Sequence, residues 1–541
     1  MALKGKSARL TVLSLWAVVS VMNIGKAVHI DDGGTLEIAQ HIVSDPLHPM
    51  SGEMFWGDTH SEPIHHTNQP HLTYYMYAAV MALFGPSELL LHCVIAAFSL
   101  LAILFFYQLA ESTGTAYAPA LTTMFCMSPV FLVSQNLMTD VPLIALWLLF
   151  FRLILCDQTT ATRLSLAALT VGIACLVKYT ALVLLPLLFI TIVLRRRYQL
   201  LWVLGIPVIV LVGWSIFNYL DYGGIHILSR NAAPWDKGPI ADRVISWIIC
   251  CGAVMPFSIV FVPYLWSRPR GRKLLLAATL CTVLISSQKF MGFLLESNAE
   301  TVLRVVFFGN GVLLLCGTMY WLIGKVSADR FDNSSRQVQD VWILGLSMGG
   351  SIAFVLLFAD FMAVRRLLPV LPVVLLLMAK GPLPKVAAGW RHAGLAVTVL
   401  LGLALGASDW LYADVYRKQA ERLTARYVDD SRTVWFAGHW GWQWYARRGG
   451  MQQYDQTTSK LALHDVLIVP QNVDRQRIAG LHRLANVDTV KIAGGPSTYF
   501  RTMRNERGLY GSNIYALPWT LTAEPLETFE IYAADHESDG T

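Results

Sequence analysis

HIDDGGTLEIAQHIVSDPLHPMSGEMFWGDTHSEPIHHTNQPHLTYYMY, residues His29–Tyr77, follows directly on one apolar run and precedes a long series of others. It carries seven acids (Asp31, Asp32, Glu37, Asp45, Glu53, Asp58 and Glu62) and seven histidines (His29, His41, His48, His60, His65, His66 and His71). Almost everything downstream is oil. So many ionisable groups gathered in one loop between apolar runs mark that loop as the place where chemistry is done.

The composition agrees with this division. Of 541 residues, 55% are hydrophobic and only 14% charged, where soluble domains carry about 25% charged residues; the mean hydropathy is +0.49. The chain therefore reads as a polytopic membrane protein. Runs long enough to cross a bilayer, about 20 residues each, lie near 10–28, 88–110, 117–134, 141–156, 164–177, 180–194, 199–217, 243–266, 274–288, 302–323, 339–359, 367–380 and 392–411. The predicted fold is an all-α membrane bundle of about 11–13 transmembrane helices, followed by a small α/β domain. The run to Val28 lacks a clean small-residue cleavage site, so it reads as an uncleaved first span and not a signal peptide. All eight cysteines fall in apolar runs without metal-ligand spacing and read as buried hydrophobes.

Alternate loops carry the positive charge: Lys4, Lys6 and Arg9; Arg152 and Arg163; Arg195–Arg197; Arg268–Lys273; Lys325, Arg330 and Arg336; Lys380, Lys385 and Arg391. The other set holds Asp31–Glu62, Asp140, Asp221–Asp242, Glu296, Glu300 and Asp360. The positive-inside bias puts the first set, with the N-terminus, in the cytoplasm and the acidic loop outside. In a bacterial inner membrane the loop and the C-terminal domain would be periplasmic.

Past Leu411 the composition changes. A polar helix-like segment, Tyr412–Tyr427, leads into β-type runs at Thr433–Phe436, Val466–Val469, Val487–Ile492 and Ile514–Leu517, with helix-compatible pieces at Gly441–Arg448 and Asp474–Leu484. The expected division is a membrane domain 1–411, with its first outer loop at 29–87, and an extramembrane domain 412–541.

Several residues invite a chemical role, each beside a plainer one. Asp31 and Asp32 are costly at a membrane surface unless paired or hydrated, and one carboxylate near an electrophilic carbon is a general base; a solvated helix N-terminus is the bland alternative. Thr139 or Asp140 reads as a helix cap ahead of Pro142, or Asp140 as a second acid facing the same cavity. Lys178, Arg365 and Arg366 interrupt apolar stretches on the predicted outer side. Such cations need an anion, either a lipid phosphate or an acid such as Asp360 or Glu296. His60, His65 and His66 are weak metal candidates whose spacing matches no fixed zinc pattern. Trp56, Tyr74, Tyr75 and Tyr77 are sugar-site or interface aromatics. The tail segment GHWGWQWYARRGG (Gly438–Gly450) lacks P-loop spacing and reads as a core turn of the outer domain.

Taken in order, these motifs resemble the integral-membrane GT-C glycosyltransferases. The resemblance rests on the acidic pair after span one, with Ala39–Ile42 following; on Asn68-Gln69-Pro70-His71-Leu72-x-Tyr74 before span two; on TDxPL at Thr139–Leu143; on KYT at Lys178–Thr180; and on R-x-L-P-x-L-P at Arg366–Pro372. It covers roughly residues 10–380, and the branch it is most similar to is the dolichyl-phosphate-mannose–protein mannosyltransferase-like one, which neighbours the lipid A aminoarabinose transferases. The resemblance implies transfer of a sugar from a polyprenyl-phosphate donor with inversion. Asp31 would be the general base, with Asp32 where the mannosyltransferases carry Glu and Asp140 as second acid. Lys178 and Arg366 would hold the phosphate leaving group. Arg365, Trp56, His65, Asn68 and Tyr74 are further candidates for substrate contact. Gln69 in place of the family's first proline, and Asn68 in place of an acid found in metal-using relatives, argue against a required metal, although a divalent ion remains compatible. A lipid or lipopolysaccharide modifier using the same donor, and a flippase of a lipid-linked sugar, are the rivals; the absence of repeated halves in the sequence disfavours the flippase.

Overall fold

The computed structural model describes all residues except 1–4, 58, 115, 156–158, 230–237, 296–297, 329–334, 360, 429–431, 512–513 and 534–541. Asp58, Glu296 and Asp360 lie outside the described residues, as does most of the acidic tail. Every apolar run read from the sequence is helical, but unequally so. Among the described residues five helices are long and apolar enough to cross a membrane: Glu88–Ser112, Tyr198–Tyr222, Asn298–Lys325, Arg336–Phe358 and Ala388–Tyr427. The pair Ile240–Val254 and Pro256–Trp266, bent by 85°, makes a sixth if counted as one span. This is fewer than the 11–13 expected, because several runs are short. Asp140–Ile154 has 15 residues, about 22 Å of helix against a hydrocarbon core of about 30 Å. Small residues let the bundle close: a Cβ on Gly252 would lie 1.8 Å from the Phe307 carbonyl oxygen, and one on Gly311 would lie 2.1 Å from that of Ile248.

Between the first helix (Lys6–Asn23) and the bundle, the acidic loop folds into a helix, Asp32–Ser44, a two-stranded hairpin pairing Glu53–Met54 with Glu62–Pro63, and the helix Leu72–Phe84. The polar segment expected at Tyr412–Tyr427 is no separate element. It is the end of one unbroken 40-residue helix, Ala388–Tyr427.

The strand-containing C-terminal part is built on a five-stranded mixed sheet. Val434–Phe436 runs parallel to Gln452–Gln453 and to Val466–Pro470. Glu527–Ala533 lies antiparallel between Val466–Pro470 and Ala485–Ile492, with Ile531 opposite Ile468 and Phe529 opposite Val490. Three of the four predicted strands are present. Ile514–Leu517 is not a strand: the Tyr515 N–H donates to Ser246 Oγ at 2.9 Å and its hydroxyl to Asp242, which pins the segment to the bundle. The sheet takes Glu527–Ala533 instead. Asp474–Leu484 is mostly irregular, with one 3₁₀ turn at Leu481–Arg483.

Candidate active site

A cavity of about 410 Å³ opens where the acidic loop meets the ends of the helices. It is lined by the charged side chains Asp31, Asp140, Lys178, Arg365 and Arg366 and by apolar ones that include Phe354, Val355, Phe358, Leu143 and Ile144. Trp56, Asn68 and Tyr74 also line it.

The charged groups alternate. Asp31 Oδ2 accepts from Arg365 Nη2 at 2.8 Å, Arg365 Nε lies 3.9 Å from Asp140 Oδ2, and Asp140 Oδ1 accepts from Lys178 Nζ at 2.8 Å. Each is delivered by a local break in regular structure. Asp140 opens the helix Asp140–Ile154, where no side chain caps the terminus; its carboxylate reaches Lys178 instead, so the capping alternative fails. Lys178 is the extended residue (φ −160°, ψ 129°) that ends the helix Ala161–Val177. Arg365 and Arg366 ride on a 3₁₀ turn, Val364–Leu367, whose first N–H donates to the Leu509 carbonyl of the C-terminal part at 2.8 Å. The Arg366 guanidinium lies over the Phe361 ring, 4.3 Å from its centre. Asp31 is the most accessible of the four paired groups, its side chain 41% exposed against 7% for Asp140.

Asp32 does something else. It is fully buried, absent from the cavity wall, and turned back so that Oδ2 accepts from the His29 N–H at 3.0 Å. Burial pushes its carboxyl well above the usual range. Between the two residues Ile30 holds φ at 47°, an outlier for a β-branched side chain. Asp32 therefore shapes the turn that presents Asp31, and the catalytic role expected for it is corrected to a positioning one.

The His65 and His66 rings meet edge to face, 4.8 Å between centres, but His60 does not join them. His65 stacks on Tyr222 (ring centres 4.4 Å apart), outside the cavity, and His60 Nδ1 bonds Thr59 Oγ1 at 2.7 Å. His66 does line the cavity, 3.9 Å from Glu62. Among the described residues no group of three His, Cys, Asp or Glu side chains could hold a metal. The substrate contact expected of His65 and the metal set His60, His65 and His66 are thus not assembled. Of the aromatics, Trp56 and Tyr74 face the cavity; Tyr75 turns to the Pro46 carbonyl (2.7 Å) and Tyr77 is buried.

Two features escaped the sequence reading. The GHWGWQW segment forms the helix Trp440–Arg448, which backs the acidic loop directly. A Cβ on Gly33 would lie 2.5 Å from the Trp440 carbonyl oxygen, and one on Gly441 would lie 2.0 Å from that of Val28. Glu37 accepts from Gln443 at 2.6 Å and pairs with Arg447 at 2.8 Å, while Trp56 stacks on His439. Beneath the loop, Lys26 Nζ pairs with Asp409 Oδ2 at 2.5 Å, with side chains 2% and 0% exposed. Asn136 accepts from the same ammonium at 2.6 Å, Tyr510 Oη donates to Asp409 at 2.5 Å, and His29 Nε2 lies 3.5 Å from Asp409 Oδ1. The signal was present: Asp409 is an acid inside the last apolar run, and such acids are rare and functional.

Residues 68–217 match the family model described as dolichyl-phosphate-mannose-protein mannosyltransferase. That segment contains Asn68, Tyr74, Asp140 and Lys178, from three of the five motifs on which the resemblance to GT-C enzymes rests. Over that segment the chain is similar to the dolichyl-phosphate-mannose-protein mannosyltransferases. Its fold is similar to that of ArnT from Cupriavidus metallidurans bound to undecaprenyl phosphate, at 15% identity and TM-score 0.43, covering 85% of this chain and 92% of that one. It is also similar to the Archaeoglobus fulgidus oligosaccharyltransferase (12%, TM-score 0.41, 82% and 64%) and to the arabinofuranosyltransferase AftD from Mycobacteria (14%, TM-score 0.38, 100% and 41%). Overlaps of this size are too loose to transfer residue roles. No curated protein sequence matches the chain.

Proposed function

We propose that the protein moves a sugar from a polyprenyl-phosphate donor to an acceptor hydroxyl, with inversion and with Asp31 as general base. The observation that carries this reading is the lining of the cavity, which sets alternating acids and cations together with apolar phenylalanine and leucine side chains. A lipid-linked phosphate needs both. The isoprenoid chain lies along Phe354–Phe358, and the phosphate is held by Lys178, Arg365 and Arg366, with arginine offering paired donors. As phosphate arrives it competes with Asp31 for Arg365 and releases the carboxylate. Asp31 then takes the proton of the acceptor hydroxyl, whose oxygen bonds to the anomeric carbon while the bond from that carbon to the phosphate oxygen breaks. The cations stabilise the charge left on the phosphate. Asp140 keeps Lys178 and Arg365 in place, and Trp56, Asn68 and Tyr74 contact the sugar.

In this reading residues 1–411 form the transferase domain, residues 412–541 an outer domain that backs the catalytic loop, and both loop and outer domain face the periplasm of a bacterial inner membrane. The acceptor is protein, glycan or lipid, lipid A-type molecules included. The test is turnover of labelled polyprenyl-phosphate sugars by purified protein and by Asp31→Asn. A general base contributes about 10²–10⁴-fold, so the variant should lose that much transfer while still binding donor. Equal release of polyprenyl phosphate by both proteins would remove Asp31 from the mechanism. Movement of intact donor between leaflets without release would make the protein a flippase.

A further inference from the structure

Lys178 and Asn68 reach the cavity from segments far apart in the chain, and neither sits in a helix or strand. Lys178 is the extended residue between the helix Ala161–Val177 and a 3₁₀ turn, Tyr179–Val183. Asn68 follows Thr67, the extended residue (φ −63°, ψ 151°) that closes the turn Ile64–His66. The neighbour of each is tied to one side chain, His226, which is fully buried and forms no part of the cavity wall. His226 Nδ1 lies 2.9 Å from the Tyr179 hydroxyl, and Nε2 lies 2.7 Å from the Thr67 carbonyl oxygen. Tyr179 Oη in turn accepts from Trp214 Nε1 at 3.0 Å, on the helix Gly205–Tyr222.

The partners give these bonds a direction. A carbonyl oxygen only accepts, so Nε2 carries a ring hydrogen, and in the neutral imidazole Nδ1 is then an acceptor. The indole N–H only donates, which leaves the Tyr179 hydroxyl hydrogen for Nδ1. The chain runs from Trp214 through Tyr179 and His226 to Thr67, with every donor facing an acceptor. Such bonds are stronger inside a protein than in water. The last carbonyl belongs to the peptide group that carries the Asn68 nitrogen, and the tyrosine is the residue bonded to Lys178.

We infer that His226 is a positioning residue, which holds Lys178 on the phosphate side and Asn68 on the sugar side in register across the bond to be broken. The inference rests on the transfer reading above. A ring that only filled space would need no polar atoms here; two bonds from opposite edges of the imidazole join the two segments.

The experiment is steady-state transfer by the full-length protein in detergent, using the labelled polyprenyl-phosphate sugar that the wild type turns over, with donor concentration varied. His226→Phe keeps a ring and loses both bonds. Its kcat should fall about 10²-fold with the donor KM nearly unchanged, because the cations still hold the phosphate while the sugar lies out of line. His226→Gln, whose amide can accept from Tyr179 and donate to Thr67, should recover most of that loss. Tyr179→Phe leaves His226 in place, removes one bond and should fall between the two. A phenylalanine variant as fast as the wild type overturns the inference, as does a loss confined to KM or a glutamine variant no faster than the phenylalanine one. Should His226→Phe fail to fold, Tyr179→Phe decides: wild-type kcat in that protein overturns the inference, and a lowered kcat at unchanged KM supports it. A wild type that releases no polyprenyl phosphate from any donor overturns the transfer reading and this inference with it, a result distinct from an active wild type with unaffected variants.

Discussion

Replacing Asp409 by Asn removes one charge from a fully enclosed Lys–Asp pair and changes almost nothing else. Asparagine keeps the shape and leaves an oxygen to accept from the Tyr510 hydroxyl, which now donates to Asp409 at 2.5 Å. The Lys26 ammonium, 2% exposed, is left with the Asn136 oxygen at 2.6 Å and the Tyr510 hydroxyl at 3.2 Å, and with no countercharge in contact. Breaking one side of a buried pair costs about 3–5 kcal/mol, a large part of a total stability of about 5–15 kcal/mol. The double variant Lys26→Met/Asp409→Leu removes the charge and its need together, and should recover most of the loss. The assay is unfolding in mixed dodecyl maltoside and SDS micelles, followed by tryptophan fluorescence. A single variant within about 1 kcal/mol of the wild type, or a double variant less stable than the single, would refute the assignment of Lys26–Asp409 as a buried charged pair. Because His29 and Tyr510 share this cluster, even the recovered double variant should transfer sugar more slowly than the wild type.

Three further outcomes are expected. Lys178→Met should lower the transfer rate about 10²–10³-fold if the ammonium stabilises the departing phosphate, with Lys178→Arg partly restoring it; steady-state kinetics on a saturating donor decides this. Gly33→Ala, whose new methyl would lie 2.5 Å from the Trp440 carbonyl oxygen, should cost about 1–3 kcal/mol by forcing the acidic loop off its backing helix, read as a lowered melting temperature and slower transfer. Glu527, the first residue of its strand, is buried, and burial pushes its carboxyl up to about 7 despite donors from Tyr416, Gln471, Asn472 and Thr528. A raised folded-state value favours the protonated form, so its stabilising contribution is full below the ordinary glutamate value of 4.5 and is lost as pH rises through about 7. The melting temperature should fall across that window, and Glu527→Gln should flatten the fall.

The site residues that stood out in the sequence did so because charge inside oil is expensive wherever it falls. Asp140, Lys178, Arg365 and Arg366 each interrupt an apolar run, and all four line one cavity with Asp31. Their partners were not legible. Asp31 and Arg365 are 334 residues apart in the chain, and only the packed bundle brings them together. Asp31 and Asp32 looked equivalent as neighbours, yet a left-handed Ile30 and a carboxylate folded onto the His29 N–H send them opposite ways. Apolar runs located the helices but not their lengths, since a run bent after Val254 has the same composition as an unbroken one. The Lys26–Asp409 pair was hidden for the same reason as the ion chain: each member was visible, but not the contact.

The helix Ala388–Tyr427 has no break along 40 residues, about 60 Å. Near its middle it carries Asp409 under the acidic loop; a turn further on, Tyr412 and Tyr416 meet hydroxyl to hydroxyl at 2.5 Å and Tyr416 reaches Glu527 in the sheet at 2.8 Å. A rod of this kind has no elbow. The C-terminal part cannot swing aside as a door over the cavity without tearing Asp409 from Lys26 and lifting Trp440 off Gly33. In the proposed transfer the acceptor would therefore come in past a stationary wall.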